Sequence, residues 1–400
     1  MKKKIKIIPG GLETVPGFKF SALKCGIRYK NRLDYSLIMS EKNCQAAGVF
    51  TTNKICAAPV KLSKKRIKNK IKAILINATN ANACTGQEGE KNVFSLTEDL
   101  AKKAKISGKS VLMASTGIIG HQLPVKKMLA SHENLLKSLS ASKGKLIHKA
   151  IMTTDTKEKK IAVNFETSQG SFVLAGTAKG SGMIAPNMAT LLAFILTNAP
   201  LKKRDLNLIF KKIIKKTLNA INIDGDMSTN DTALLLSPLE QKTLEKPSDL
   251  QIFSDSLEIV LTELGKMLVA DGEGVTKSVE IIVKRAANDR EAEKIVKTIS
   301  ESLLVKTAFF GEDPNWGIIA MAVGAAGAKV KEEKLSIFFD KISLIKNGIP
   351  GTSNSQKLKK ILSKKTFSVT VDLGLGSGQA SMLTSDLSYK YIKINGEYST

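Results

Sequence analysis

A threonine near the middle of the chain, Thr190, has a setting that suits self-activated nucleophilic catalysis. It follows a small residue, Ala189, and precedes an apolar run typical of a strand, which would hold it rigidly. Upstream, Gly180 and Gly182 allow the chain to bend sharply. When the peptide bond before a threonine is cut, the new α-amino group has a pKa of about 8 and can take the hydroxyl proton. The pattern also suits an ordinary strand residue, so spacing alone leaves both interpretations open.

The histidines and acidic residues favour no other familiar catalytic or metal-binding arrangement. The chain has three histidines, which form neither an HExxH nor an HxxxH motif, and it has no GxSxG motif. The stretch DGDMSTND at 224–231 alternates acids as a calcium loop does, but Thr229 stands where that loop needs glycine. We therefore expect neither a histidine-based triad nor a metal site.

Two glycine-rich stretches resemble nucleotide-binding loops only superficially. VDLGLGSG at 371–378 follows a predicted strand, but its glycine spacing is GxGxG and no long helical pattern comes after it. GTAKGSG at 176–182 contains glycine, lysine and serine in an order that differs from the Walker loop. We expect a turn between two strands at 371–378 and no nucleotide site at either stretch.

A nucleophile at position 190 needs a framework, and the sequence predicts one of strands and helices. Short apolar runs alternate with long amphipathic stretches, which indicates an α/β or α+β fold. The predicted strands are 73–77, 111–114, 161–165, 172–175, 191–196, 279–283 and 367–373, and the predicted helices are 125–139, 205–221, 257–269 and 289–304. The basic stretch 61–70 precedes a strand, and we expect a surface loop or a sheet edge there.

The chain is strongly basic, yet its composition argues against a nucleic-acid partner. Its 400 residues include 62 Lys and Arg against 36 Asp and Glu, a net charge of +26. Only six of the basic residues are arginine, and aromatic residues make up 5% of the chain, so the guanidinium and stacking groups that recognise nucleic acids are scarce. Most of the excess lies early, since residues 1–189 carry +22 and residues 190–400 carry +4.

We expect no segment that spans a membrane or directs export. The longest apolar stretch, 183–199, contains Pro186, Asn187 and Asn198, and a membrane span needs about 20 consecutive apolar residues. The first residues are basic but lack the apolar run of a signal peptide. Four cysteines without a CxxC motif are typical of reduced thiols, which indicates a cytoplasmic protein.

The segment KGSGMIAPNMATLLAFILTNA at 179–199 resembles the processing motif of the glutamate N-acetyltransferase / ornithine acetyltransferase family of arginine biosynthesis. Further motifs resemble that family along the whole chain and in the family's order: GFKFSALKCGIR (17–28), GVFTTN (48–53), NATNANACTG (77–86), ASTGIIG (114–120), IMTTDT (151–156), DGDMSTNDT (224–232), DGEG (271–274), GEDPNWG (311–317) and YIKINGEYST (391–400). The resemblance implies an α/β fold of the N-terminal-nucleophile type, a sandwich of helix and sheet layers like that of related aminopeptidases.

The resemblance also implies an activity and an assembly. The chain would cleave itself between Ala189 and Thr190 into an alpha subunit, 1–189, and a beta subunit, 190–400, which fold together as one unit. Two copies of each would form a heterotetramer. Thr190 would take the acetyl group of N2-acetyl-L-ornithine and pass it to L-glutamate, which predicts ping-pong kinetics. No cofactor is implied, and whether acetyl-CoA is a second acetyl donor stays open.

The resemblance assigns roles to a set of residues besides the nucleophile. Thr116 and Gly117 match the family's oxyanion hole, which binds the negative charge of the tetrahedral intermediate. The residues that match the family's substrate-binding positions are Thr153, Lys179, Thr190, Glu273, Asn395 and Thr400. A lysine suits the α-carboxylate of either substrate and a glutamate suits the side-chain ammonium of ornithine. Asn395 and Thr400 predict that the end of the chain is ordered against the site.

Two departures and two alternatives accompany this interpretation. Ile318 follows DPNWG where the family pattern leads us to expect a basic residue, and Ser385 replaces the more usual cysteine before Asp-Leu. Neither position belongs to the implied site.

The first alternative is an N-terminal-nucleophile amidase or aminopeptidase, which passes the acyl group to water. The second is a basic nucleic-acid-binding protein, which would bind DNA with steep salt dependence.

Overall fold

The computed structural model describes residues 4–185, 191–351 and 355–397. Its strands are β1 (Ile5–Ile8), β2 (Phe18–Leu23), β3 (Tyr35–Phe50), β4 (Ile71–Asn77), β5 (Val111–Ser115), β6 (Lys159–Thr167), β7 (Gly170–Lys179), β8 (Leu192–Thr197), β9 (Ile221–Asn222), β10 (Thr232–Pro238), β11 (Ser278–Ala286), β12 (Ser336–Phe339), β13 (Ile342–Lys346), β14 (Ile349–Pro350), β15 (Thr366–Asp372) and β16 (Gly378–Ser385). Its α-helices are α1 (Ala58–Arg66), α2 (Gly86–Ala104), α3 (Val125–Lys137), α4 (Gly144–Ala150), α5 (Lys203–Lys216), α6 (Pro247–Ala270), α7 (Asp289–Glu301), α8 (Leu303–Phe310), α9 (Trp316–Ala325), α10 (Ser355–Leu362) and α11 (Tyr389–Glu397).

In the described chain, nine strands form a first sheet in the order β1-β6-β7-β8-β10-β3-β4-β5, with β2 paired to β3 as well. The long strand β3 connects the two parts of this sheet, because its first half pairs with β2 and β4 and its second half pairs with β10. Strand β8 lies in the interior of the sheet, antiparallel to β7 and parallel to β10. All six residues of β8 are buried, as expected of an apolar strand covered on both faces.

Alternating side chains of β8 show how the first sheet is covered. Ala193 and Ile195 join a core with helices α5 and α6, whereas Phe194 and Leu196 join a second core on the opposite face, which includes residues of β2 and α4. A third core, formed with α2 and α3, covers the β4–β5 end of the sheet. The strand that directly follows the predicted nucleophile is therefore held by packing on both faces.

A second sheet of seven described strands has the order β14-β13-β12-β15-β11-β16-β9. Val279, Ile281 and Val283 alternate along β11 and pack with helices α7 to α10 on one face. Helix α6 contacts β11 and β16. The layered α/β fold expected from the sequence is confirmed, and its layers fit the predicted sandwich.

Ser385 lies deep in this second region. Its hydroxyl lies 2.9 Å from the amine of Lys306 and donates to the Ile223 carbonyl at 3.2 Å. Ile318 lies in the first turn of α9, which begins at Trp316, and its partly buried side chain packs against the core of the second sheet. Both departures from the family pattern therefore lie in the second region of the molecule.

The predicted strands and most predicted helices are confirmed, but two helix boundaries and the loop or sheet edge expected at 61–70 were wrong. The predicted helix 289–304 breaks at Ser302, whose extended backbone ends α7 and whose side chain accepts the N–H of Val305 to begin α8. The predicted helix 205–221 ends at Lys216. The basic stretch 61–70 is largely helical, because Ser63 and Arg66 are buried and bond to strand β5 at Met113 and Val111.

The turn expected at 371–378 is confirmed, since β15 ends at Asp372 and β16 begins at Gly378. A Cβ at Gly378 would lie 2.1 Å from the Asn288 backbone, so this turn needs glycine at that close approach. Among the described helices, none is both long enough and apolar enough to cross a membrane. The four cysteines are unpaired.

Candidate active site

Six residues singled out from the sequence line one cavity of about 270 Å³. They are Thr116, Gly117, Thr153, Lys179, Glu273 and Asn395, and they come from distant parts of the chain. Several other cavities are larger. One, of about 710 Å³ between α6 and the second sheet, contains none of the six, and one of about 770 Å³ adjoins the site through Thr153 and Glu273. Ala189, Thr190 and Thr400 lie outside the described residues.

The turn after β5 has a backbone that only glycine can adopt at position 117. Gly117 has a φ of +133°, and a Cβ there would lie 2.1 Å from the carbonyl carbon of Thr79. The neighbouring N–H groups of Thr116 and Ile118 donate to the carbonyls of Asn77 and Thr79 at 3.0 and 3.4 Å. In the described part of the chain the Gly117 N–H has no acceptor, so it is free to donate into the cavity.

Lys179 ends β7 and brings a buried amine to the same turn. Its Nζ lies 3.4 Å from Thr116 Oγ1 and 3.9 Å from a carboxylate oxygen of Asp155. Burial lowers the pKa of Lys179, and the charge of Asp155 partly opposes that shift. Because Thr116 Oγ1 can accept from the lysine, the Thr116 hydroxyl proton is free to point elsewhere in the cavity.

Asp155 organises this side of the site, and its only signal in the sequence is its place in the motif IMTTDT. Its carboxylate accepts the N–H groups of Thr153 and Gly180 at 3.0 and 2.7 Å and binds Lys159 Nζ at 2.6 Å. Burial alone would raise the pKa of Asp155, but Lys179 and Lys159 outweigh it and lower the pKa to about 2. Asp155 thus stays ionised and fixes both Thr153, a predicted substrate-binding residue, and the end of β7.

Lys159 extends this network away from the cavity. It also binds Asp271 at 2.6 Å, and Asp271 accepts the N–H groups of Thr156 and Lys157 at 3.0 and 3.2 Å. All the charged members are buried. The loop 153–157 is therefore tied to the end of α6, close to Glu273.

The end of the chain reaches the site as the sequence predicted, as far as residue 397. Asn395, on α11, donates from its side-chain amide to Glu273 at 3.0 Å. The Glu273 N–H donates to the Ser181 carbonyl at 2.7 Å, and a Cβ at Gly182 would lie 2.6 Å from the Glu273 carboxylate. The carboxylate of Glu273 is thus held between the chain just after β7 and helix α11.

Several cavity residues were not predicted from the sequence, among them Arg28, Arg32 and Thr79. Arg32 donates to the carbonyls of Met152 and Thr153, the latter at 3.1 Å. The Thr79 hydroxyl is buried and has no partner in the described chain. The scarcity of arginine was the available signal, because two of the six arginines in a lysine-rich chain line this cavity.

None of the three histidines lines the cavity. His132 is buried between the Tyr35 hydroxyl and the Asp99 carboxylate, each 2.6 Å from a ring nitrogen. Burial lowers the pKa of His132, and Asp99 partly opposes that shift. The described residues also contain no group of three or more His, Cys, Asp and Glu side chains arranged to hold a metal ion.

Comparisons with known proteins place the chain in a family. Residues 19–400 match the profile described as the ArgJ family. The "Arginine biosynthesis bifunctional protein ArgJ" of Geobacter sulfurreducens is 42% identical, with 96% of this chain and 100% of that protein covered. The "Glutamate N-acetyltransferase" of Methanocaldococcus jannaschii is also 42% identical, with 99% and 100% covered.

Solved structures of similar proteins match a part of this chain. The arginine biosynthesis bifunctional protein argJ of Bacillus halodurans is 34% identical, with a TM-score of 0.47, and the match covers 50% of this chain and 96% of that one. Ornithine acetyltransferase of Mycobacterium tuberculosis, solved with ornithine, is 28% identical, with a TM-score of 0.42, and the match covers 47% of this chain and all of that one. The family profile and the similarity over nearly full length confirm the family predicted from the sequence motifs: this chain belongs to the ArgJ family.

Proposed function

We propose that this chain is a glutamate N-acetyltransferase of arginine biosynthesis, which moves the acetyl group of N2-acetyl-L-ornithine to L-glutamate in the cytoplasm. The observation that carries the proposal is the convergence of six predicted site residues on one cavity in a chain of the ArgJ family. Relatives of similar length are named for arginine biosynthesis and for glutamate N-acetyltransferase. The reaction needs no cofactor, because a threonine and its own amine supply nucleophile and base.

The chain first cleaves itself between Ala189 and Thr190. The Thr190 hydroxyl oxygen attacks the Ala189 carbonyl, the peptide C–N bond breaks, and the nitrogen becomes a free α-amino group. Water then hydrolyses the resulting ester to a carboxylate on Ala189 and a free Thr190 hydroxyl. The products, residues 1–189 and 190–400, stay together because β7 and β8, one from each product, pair in the same sheet.

Acetyl transfer then proceeds in two steps. The Thr190 amine takes the hydroxyl proton, the oxygen attacks the acetyl carbonyl, and ornithine leaves with the proton as the C–N bond breaks. The glutamate amine next attacks the acetyl carbonyl of the ester, and the C–O bond to Thr190 breaks. The proton lost by the glutamate amine passes through the Thr190 amine to the threonine oxygen, so N-acetylglutamate leaves and the hydroxyl is restored. The Gly117 N–H and the Thr116 hydroxyl stabilise the oxyanion in both steps, and one such donor is worth about 3–4 kcal/mol.

The charges around the cavity suit both substrates. Each carries an α-carboxylate, for which the Lys179 amine is the cation at the end of β7. The side-chain ammonium of ornithine suits Glu273, which Asn395 holds in place. Thr153 completes the substrate contacts within the described residues, and Thr400 contributes from the end of the chain.

We further propose that two alpha and two beta subunits assemble into a heterotetramer. Helix α9 is apolar on all sides, WGIIAMAVGA, although part of it faces solvent. Met321 on α9 and Leu303 and Leu304 on α8 are 50 to 64% exposed, so this region presents an apolar surface that a second copy would cover. Sedimentation of the cleaved protein tests the assembly, and a single 1:1 pair would contradict it.

A transfer assay separates this proposal from an amidase. We expect ornithine release from N-acetylornithine to need glutamate and to match N-acetylglutamate formation mole for mole, with parallel lines in double-reciprocal plots. Steady release of ornithine in water without glutamate would contradict transferase function. Replacing N-acetylornithine with acetyl-CoA in the same assay decides whether the chain uses one acetyl donor or two.

A further inference from the structure

The acidic stretch 224–231 lies against both described flanks of the segment 186–190. Upstream, Asp224 accepts the N–H groups of Met183 and Ile184 at 2.6 and 2.8 Å, one on each carboxylate oxygen. Downstream, Asp231 accepts the N–H of Leu191 at 2.8 Å. Two carboxylates from one stretch therefore bind backbone groups on the two sides of the predicted cleavage bond.

Backbone bonds reinforce the two contacts. The Ile223 N–H donates to the Ile184 carbonyl at 2.8 Å, and the Thr232 N–H donates to the Leu191 carbonyl at 3.0 Å. The flanks are thus paired with the residues next to each aspartate as well as with the aspartates themselves.

Asp231 is an unusual carboxylate. It is fully buried, and one of its oxygens has no hydrogen-bond partner in the described chain. Burial makes the ionised form of such a carboxylate costly. Burial accordingly raises the pKa of Asp231 well above its ordinary value, while the Leu191 N–H, the charge of Lys179 and the Thr51 side chain act in the opposite direction.

Asp224 also connects the upstream flank to the end of the chain. The Tyr391 hydroxyl of α11 lies 3.3 Å from the same oxygen that accepts the Met183 N–H. Burial raises the pKa of Asp224, and the N–H groups of Met183 and Ile184 lower it in part. The carboxylate of Asp224 therefore contacts both Tyr391, one helical turn before Asn395, and the chain upstream of the predicted cleavage bond.

We propose that Asp224 and Asp231 are positioning residues for self-cleavage, which hold the upstream and downstream flanks of the cleavage bond. The inference rests on the proposed function, because it assigns these residues to the cleavage that creates the nucleophile. Attack of a hydroxyl on the preceding carbonyl needs a close and aligned approach, and an error of about 1 Å costs roughly a hundredfold in rate. Asp224 and Asp231 fix the backbone of Met183, Ile184 and Leu191, the described residues on the two sides of the predicted cleavage bond.

The test compares Asp231→Asn and Asp224→Asn with a matched control, Asp249→Asn. Asp249 is also buried and accepts a backbone N–H, that of Ser168 at 2.9 Å, but it binds neither flank. Intact mass follows cleavage of each freshly purified chain with time. We expect both site variants to cleave at least about tenfold more slowly than the wild type and the control to match the wild type.

A Thr190→Ala background separates folding from cleavage, since each aspartate variant can be melted there as an uncut chain. If one site variant fails to unfold cooperatively, the other decides the outcome. Failure of both, wild-type cleavage rates in both, or equal slowing in Asp249→Asn would overturn the proposal in favour of a structural role.

A different set of results would refute the proposed self-cleavage by Thr190. If the wild type stays uncut, or if Thr190→Ala is still cut between residues 189 and 190, cleavage by Thr190 is wrong whatever the aspartate variants do. If the wild type is cut and Thr190→Ala is not, a wild-type rate in both aspartate variants refutes only the positioning role.

Discussion

The buried lysines at the two sheets have different hydrogen-bond partners. At the edge of the first sheet, Lys159 lies between two buried carboxylates, those of Asp155 and Asp271, each 2.6 Å away. At the second sheet, buried Lys306 is bonded only to neutral oxygens of Thr384 and Ser385 within the described chain. A cavity of about 710 Å³ lies by the second sheet, whereas the predicted site residues line a smaller cavity of about 270 Å³ by the first sheet. Paired buried charge, rather than cavity size, marks the candidate active site.

The largest expected effect tests the paired lysine. Lys159→Met leaves the carboxylates of Asp155 and Asp271 buried without their shared cation, and we expect a loss of about 3–5 kcal/mol in the free energy of unfolding. Urea unfolding of both chains, in the uncleavable Thr190→Ala background, measures it. Lys306→Met is the matched change by the second sheet, and we expect it to cost much less because no carboxylate loses a bonded partner. Equal losses would remove the contrast between the sheets.

The next effect concerns the turn after β5. Gly117→Ala forces a Cβ into the Thr79 backbone and displaces the Gly117 N–H, so we expect acetyl transfer to fall about a hundred- to a thousandfold in kcat. Gly120→Ala is the control, because Gly120 also has a positive φ but a Cβ there meets nothing within 4 Å. Similar activity in the two variants would exclude the Gly117 N–H as an oxyanion donor.

A pH dependence tests the unpaired lysine. Burial lowers the pKa of Lys306 from 10.5 to about 7, partly opposed by Asp386 and Asp224. Between those values the unfolded chain binds more protons at this site than the folded chain, so Lys306 makes stability rise with pH from about 7 towards 10. We expect Lys306→Met to flatten this part of the Tm curve. A curve that keeps its slope in the variant would mean that Lys306 is charged in the folded protein.

The smallest effect concerns the end of the chain. Asn395→Ala removes the hydrogen bond that holds Glu273, so we expect KM for N-acetylornithine to rise roughly three- to tenfold with little change in kcat. Lys393→Ala changes an exposed residue of the same helix and serves as the control. If KM for glutamate alone changed, Glu273 would not bind the ornithine side chain.

Periodicity in the sequence predicted five of the nine strands of the first sheet, β4 to β8, because a run such as that of β8 is apolar throughout and buried on both faces. It missed β1, β2, β3 and β10. It failed where a side chain acts on local backbone, as at Ser302, which ends one helix and begins the next. It also failed at 61–70, where the aliphatic parts and hydrogen bonds of basic residues stabilise a helix against β5.

The site shows the same limit. Motif resemblance named Lys179 and Glu273, but nothing in the sequence pairs Asp155 with Lys179 or Asp231 with Leu191. Such pairs depend on which strands are neighbours, and a single sequence does not reveal that arrangement. Motif resemblance could therefore supply the predicted substrate-binding residues, whereas the residues that hold them in place could not be predicted.

The central claim is that Thr190 carries the acetyl group between the two substrates. The most direct measurement mixes the cleaved enzyme with N-acetylornithine in the absence of glutamate, quenches it in acid and records intact masses. We expect the 190–400 fragment to gain the mass of one acetyl group on Thr190 and to lose it when glutamate is added. An active enzyme whose chain stays unbroken, or whose 190–400 fragment never gains an acetyl group, would contradict it.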